Sequence, residues 1–296
     1  MYIYHSKAQR VFSVFNIAFL FAVSMLCVLP FVNLLAISFS SSTPVAAGKV
    51  LFWPVDFSIS SYELIFSSRR FLRSFAIAIE RVLLGVAINL IMCVLTAYPL
   101  SRPSARMSGR NLYMGFFVLT MIIGGGLIPT YLVVMRMGLL NKIWALVLPG
   151  ALPVGNMIIL MNFIRQIPMD LEEAAMIDGA GPINTLIRIM LPLLKPALAT
   201  VGLFCVVGHW NDWFSGLIYM RDLNNYPLQT YLQTLLRSFE EILRMSGNDY
   251  IKLIAMVNAR TGRAAQLFLG ALPIMLLYPF LQKYFVKGLV IGSIKG

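Results

Sequence analysis

Six apolar stretches, each long enough to cross a bilayer, constrain this chain more than any other feature. A helix rises about 1.5 Å per residue and needs about 20 apolar residues to cross the roughly 30 Å hydrocarbon core. Val11 to Ile37 exceeds that length, as does Phe71 to Leu100. The remaining stretches lie near 111–134, 143–162, 193–219 and 264–285. Composition agrees: 59% of the 296 residues are hydrophobic and 12% are charged, where a soluble domain carries about 25% charged residues. The expected fold class is all-α, a polytopic membrane protein of six transmembrane helices forming one domain over 1–296.

The first stretch is too long for a signal-peptide core and is read as a retained span, with Pro30 near its far end. Basic residues flank several spans: Lys7 and Arg10, then Arg102, Arg106 and Arg110 in the loop after the second span. By the positive-inside rule this puts the N-terminus and the 101–110 loop in the cytoplasm. Arg69, Arg70, Arg260 and Arg263 sit at the opposite ends and weaken the bias. An even number of spans puts both termini on one side, so both are expected in the cytoplasm. The 220–263 loop then faces outward, as does the segment at 38–70, where Tyr62, Leu64, Ile65 and Phe66 suit a short interfacial helix.

Three features fall inside spans. Glu80 and Arg81 are adjacent and point in different directions on a helix; they either snorkel to the surface or face the bundle interior. Gly124, Gly125 and Gly126, followed by Pro129 and Tyr131, break helix continuity in the third span. Such breaks line transport paths or serve close helix packing. Trp210, Asn211, Asp212 and Trp213 lie near the end of the fifth span, where they can stack on and hydrogen-bond a polar solute or form an interfacial aromatic belt.

The chain carries a formal net charge of +12. Lysines and arginines meeting anionic headgroups account for it, and a polyanionic solute would also be attracted. No dense basic run or aromatic-basic module argues for nucleic acid. Cys27, Cys93 and Cys205 lie inside apolar runs, and His5 and His209 are isolated, so no metal site is expected. No phosphate-binding loop or hydrolase motif occurs. No catalytic residue and no cofactor of this chain's own are expected, and any ATP and Mg would sit on another chain.

Between the fourth and fifth spans lies a polar interval, 164–192, whose core is Glu172 to Pro192, EEAAMIDGAGPINTLIRIMLP. Asp170 and Glu173 suit a capping box. Gly179 and Gly181 suit a turn with positive φ, Pro182 the first position of a second helix, and Pro192 its end. The local pattern predicts a helix–turn–helix knob.

This interval resembles the loop signature of ABC-importer permeases: Glu173, Ala174, Ala175, three residues, Gly179, nine residues, then Ile189, Leu191 and Pro192. The sequences GGGLIPTYLVVMRMGLLNKIWALVLPGALP, GHWNDWFSGLIY and KYFVKGLVIGSIKG extend the likeness to carbohydrate importers of the maltose-permease class. Within that class the chain resembles LplC-type permeases and a subunit of the alginate oligosaccharide importer. The resemblance implies a type I importer permease fold in the bacterial inner membrane. It implies a second permease subunit as a heterodimer partner, two ATP-binding cassette subunits and an extracytoplasmic sugar-binding protein. It assigns Glu172, Glu173, Ala174, Ala175, Asp178, Gly179, Ile189, Leu191 and Pro192 to coupling with the ATP-binding subunit. The implied cargo is a uronate-containing oligosaccharide, with neutral oligosaccharides as the alternative within the class. A membrane-embedded enzyme using Asp212 and His209, or an ion-driven carrier, is the alternative outside it.

Overall fold

A computed structural model describes residues 7–103, 107–235, 260–277 and 279. Those residues are helical with no strand beyond one isolated bridge, Ser40 to Phe57. The chain divides into two compact units, Met1–Arg69 with Thr234–Leu272, and Arg70–Gln233 with Pro273–Gly296.

In the first unit, α1 (Lys7–Ser38) runs unbroken through Pro30. Its apolar side chains from Val11 to Phe31 are exposed. An apolar surface of this extent is stable only against lipid or another protein. A short segment folds back on its end, with α2 (Ser42–Ala46) and α3 (Ser60–Ser67). Ala36, Val45 and Val50 make a small core there. Phe39 stacks between Phe57 and Tyr62, at 5.5 and 4.8 Å, and the Ser38 and Tyr62 hydroxyls are 2.8 Å apart. The short helix expected at 62–66 is present as α3.

In the second unit, α4 (Arg69–Leu100) is the long uninterrupted helix. Its buried stripe, Phe71, Ser74, Ala78, Arg81, Gly85, Asn89, Cys93, Ala97 and Leu100, recurs every three to four residues, the spacing of one helix face. The other spans are broken. α5 (Arg110–Ile122) and α6 (Leu127–Arg136) meet at 110° across the glycine run. α7 (Trp144–Val147), continued by a 3-10 turn to Gly150, meets α8 (Val154–Arg165) at 52°. α8 packs on α12 and α5. The main core joins Cys93, Ala97, Met157, Leu160, Ile164, Met190 and Val201.

The polar interval forms α9 (Asp170–Ile177) and α10 (Pro182–Thr185), continued by a π-helical turn Leu186–Met190 and α11 (Leu191–Leu193). α12 (Lys195–Asn211) follows after an 80° bend. Pro192 does not end the second helix as expected. It sits in a first turn, where its missing N–H costs nothing, and the bend comes at Leu194. The fifth span is also interrupted: α13 (Phe214–Tyr219) begins after a break at Asp212.

Gln9–Ser38 and Arg69–Leu100 are each long and apolar enough to cross a membrane, and counting each bent pair as one span gives up to five among the described residues. The sixth expected span begins within a helix at 260–277, and part of it lies outside the described residues, as does most of the 220–263 loop and the basic tail.

Candidate functional site

Arg81, Gly85 and Asn89 lie four residues apart on the buried face of α4. They face the interruptions in the neighbouring spans, where backbone carbonyls are free to accept. Arg81 is 2% exposed. It neither snorkels nor reaches Glu80. Its guanidinium forms an ion pair with Asp212 and donates from Nη1 to the Asp212 carbonyl at 2.7 Å and from Nη2 to the Leu146 carbonyl at 3.4 Å. Asp212 uses its other oxygen, Oδ1, to accept the Ser215 N–H at 3.0 Å in the first turn of α13. One ion pair thus ties α4, α7 and both sides of the α12–α13 break together.

A second polar group lies two turns along α4. Asn89 donates both amide hydrogens, to Gly150 O at 2.7 Å and Ala151 O at 2.9 Å. Its Oδ1 must then accept, and it lies 2.7 Å from His209 Nε2. That fixes the histidine tautomer: Nε2 carries the proton. Asn156 donates to Cys205 Sγ at 3.3 Å. These residues line a cavity of about 250 Å³ that Tyr219, Phe204 and Pro149 help to close. Arg81 Nε is buried without a hydrogen-bond partner among the described residues. Such a polar, half-enclosed space inside a membrane protein can solvate hydroxyls or water, and it holds no group of three metal-ligand residues among those described.

The His209 ring lies directly against Gly85. A Cβ at position 85 would stand 2.4 Å from His209 Nε2. Gly85→Ala is therefore expected to push the ring off Asn89 and to cost about 1–3 kcal/mol by overpacking. Gly155→Ala, where nothing lies within 4 Å of the added carbon, is the control. Thermal unfolding of the two variants separates them; equal melting would mean that the ring yields freely.

The expected path residues do not all converge. Asp212 lines the cavity, and Tyr131 stacks on Tyr219 at 6.4 Å with planes 10° apart. Trp210 is 5% exposed and packs edge-on against Phe75 at 5.9 Å. Asn211 is exposed, and Trp213 lies edge-on to Phe214. Gly124, Gly125, Gly126 and Pro129 are exposed at the 110° bend. A Cβ at Gly124 would meet nothing within 4 Å, so close packing within this chain does not explain that glycine. Arg81, Asn89 and Asn156 were not singled out from the sequence as site residues. Their signal was the stripe itself: Arg81 and Asn89 are eight residues apart, two turns on one helix face, with a glycine between them.

The first helix of the knob is closed by a defined C-terminal cap. Gly179 has φ +80, its N–H donates to Met176 O at 3.0 Å, and the Ala180 N–H donates to Ala175 O at 2.8 Å. This is the Schellman closure, which needs a left-handed residue. Gly181 has φ −73 and is not the second left-handed glycine expected. Pro182 opens α10. Asp170 is the first residue of α9, after Met169, and no side chain caps that end. Glu172 and Ala175 are buried, whereas Glu173, Ala174, Asp178, Gly179 and Pro192 are exposed, and Ile189 and Leu191 are half-buried. Glu172 forms an ion pair with Arg102, which lies 4.4 Å over the Tyr98 ring. Ile177 and Ile183 are 86% and 73% exposed, an apolar surface that water disfavours.

A bundle of interrupted membrane helices around a polar interior, with a helix–turn–helix knob between two spans, fits a transport subunit. No family model matches the chain. It is 40% identical to Protein LplC of Bacillus subtilis over 293 residues, which are 99% of this chain and 98% of that one. It is 36% identical to the polygalacturonan/rhamnogalacturonan transport system permease protein YtcP of the same organism, over 97% of this chain and 99% of that one. Its fold matches a crystal structure of a bacterial ABC transporter involved in the import of the acidic polysaccharide alginate, with a TM-score of 0.83, 30% identity, and coverage of 96% of this chain and 100% of that one. The chain belongs to the LplC-type permeases of carbohydrate ABC importers. It is a non-catalytic, multi-pass membrane subunit that works with another permease, ATP-binding subunits and a substrate-binding protein, and ATP hydrolysis belongs to those ATP-binding partners.

Proposed function

We propose that this subunit imports uronate-containing oligosaccharides by ATP-driven alternating access. The carrying observation is that a relative with 36% identity is named for polygalacturonan and rhamnogalacturonan, while the matching structure belongs to an importer of an acidic polysaccharide. The assembly proposed is a heterodimer of two permeases with two ATP-binding subunits and an external binding protein. The subunit has six spans in one transmembrane domain, with both termini in the cytoplasm.

In this reading the knob at 164–192 is the input. Its exposed Ile177, Ile183, Ala174 and Gly179 form the surface offered to the ATP-binding subunit. Closure of the ATP-binding dimer moves the knob as one body, and the spans change access. The breaks at 123–126 and 211–213 let segments of a span reorient without unfolding a whole helix. The cavity around Arg81, Asn89 and Asp212 is the polar surface that this subunit presents to the solute. Binding of sugar outside and closure of ATP sites inside are coupled, and the coupling is reciprocal.

Reconstituted assembly with its binding protein should hydrolyse ATP faster with oligogalacturonate or oligoalginate than with maltodextrin. Equal stimulation by the neutral sugar would remove the uronate reading. Indifference to both would remove the coupling. Gly179→Val should abolish uptake while membrane insertion stays normal, because a β-branched residue at φ +80 costs at least about 1–2 kcal/mol and reopens the turn. Normal uptake by that variant would show that the knob angle carries no signal.

A further inference from the structure

Leu100 is the last residue of α4, Arg110 the first of α5 and Arg165 the last of α8. These three span ends converge. Arg110 Nε donates to the Leu100 carbonyl at 2.9 Å, and Arg165 Nη2 donates to the same oxygen at 3.5 Å. Two cations are therefore gathered at one helix C-terminus, where the helix dipole favours a positive charge. One guanidinium would suffice for that purpose. The second, on exposed Arg165 beside half-buried Arg110, adds like-charge repulsion that an anion reaching both would relieve.

That relief does not come from within the described residues. Their ion pairs are Arg81 with Asp212 and Arg102 with Glu172. Arg102, beside the other two arginines, already has its acid. Arg110 and Arg165 have no carboxylate among the described residues. Each spends one N–H of its five on the Leu100 carbonyl. They line a recess of about 350 Å³ whose other walls include Ser101, Ile164 and Ile167. The lining is part cationic and part aliphatic.

We propose that this recess binds the phosphate of an anionic phospholipid headgroup. Phosphate oxygens match the planar fork of a guanidinium, which binds them in pairs. Span ends lie at the depth of headgroup phosphates, and basic pockets between membrane helices hold such lipids. Half-buried Ile167 and Met169 in the lining suit the glycerol and upper acyl chain, which a free phosphate lacks.

The test uses the purified complete assembly exchanged into phosphatidylglycerol or phosphatidylcholine, with retained lipid counted by native mass spectrometry. Wild-type assembly is expected to retain phosphatidylglycerol. Arg110→Gln with Arg165→Gln should lower its retention roughly thirtyfold, at about fivefold per basic residue near an anionic surface. Wild-type retention in that assembled double variant overturns the proposal. If the double variant fails to assemble, Arg165→Gln alone decides: a loss of about fivefold supports the site and no loss overturns it. Glycerol 1-phosphate that displaces the lipid at equal concentration would identify free phosphate as the occupant and overturn the lipid assignment. Loss of the ATP-binding subunit with unchanged lipid retention would show that the arginines meet a protein carboxylate, and would overturn it as well.

Discussion

Asp212→Ala is expected to destabilise the assembled permease by about 3–5 kcal/mol, because it strands a buried cation. Arg81 is 2% exposed and draws its charge neutralisation from this one carboxylate among the described residues. The substitution also removes the acceptor for the Ser215 N–H in the first turn of α13, a cap-like bond worth about 1 kcal/mol. Asp212→Asn keeps an oxygen for that N–H and should be milder. The decisive comparison is the double variant Arg81→Met with Asp212→Leu. Removing both charges should recover most of the stability, since apolar replacement of a buried pair is often neutral or better. Uptake should stay low in the double variant, because the cavity loses its charged wall. Thermal unfolding of the purified assembly and uptake in vesicles give the two readouts. A double variant as unstable as Asp212→Ala would show that the pair is not the source of the effect.

The second large effect concerns the joint between knob and span. Arg102→Ala leaves Glu172, 2% exposed, without its guanidinium, and a cost of about 3–5 kcal/mol is expected. The arginine also covers the Tyr98 ring at 4.4 Å, so its loss opens an apolar surface. The pair joins the knob's first helix to the loop after α4, so under the proposed coupling it would pass knob movement to the span that bears Arg81 and Asn89. Arg102→Ala should therefore keep ATP hydrolysis in the surviving assembly while lowering uptake. Exchanging the charges, Arg102→Glu with Glu172→Arg, should restore part of both stability and uptake. If the single variant loses hydrolysis and uptake in equal proportion, the joint has no separate role in transmission.

The knob was legible in the sequence because its determinants are local. Gly179 must turn and Pro182 must open a helix, and both act within a few residues. The signature from Glu173 to Pro192 also fixed the family before any contact was known. Two local expectations failed for one reason: a glycine permits positive φ without requiring it, so Gly181 stays extended in type. A proline allows a helix end without causing one, so Pro192 sits inside a bent helix.

The cavity was only half legible. Asp212 was visible as a carboxylate in a span. Its partner lies 131 residues away, and nothing local to Arg81 says whether a long cation reaches a headgroup or a buried acid. From its neighbours in sequence Trp210 suited either sugar stacking or packing, and its helix face turns it onto Phe75.

The sequence by itself determined that this chain crosses a membrane, that it is helical, that it carries a helix–turn–helix between two spans, and that it belongs with sugar-importer permeases. Those follow from apolar length, local turn chemistry and a fixed-spacing motif. Only the tertiary structure decided that Arg81 and Asn89 face the breaks in other spans, that Glu172 is buried under Arg102, and that Arg110 and Arg165 share one carbonyl. The reason is that a buried charge is stable only beside its partner, and the partner's position is set by how the helices pack.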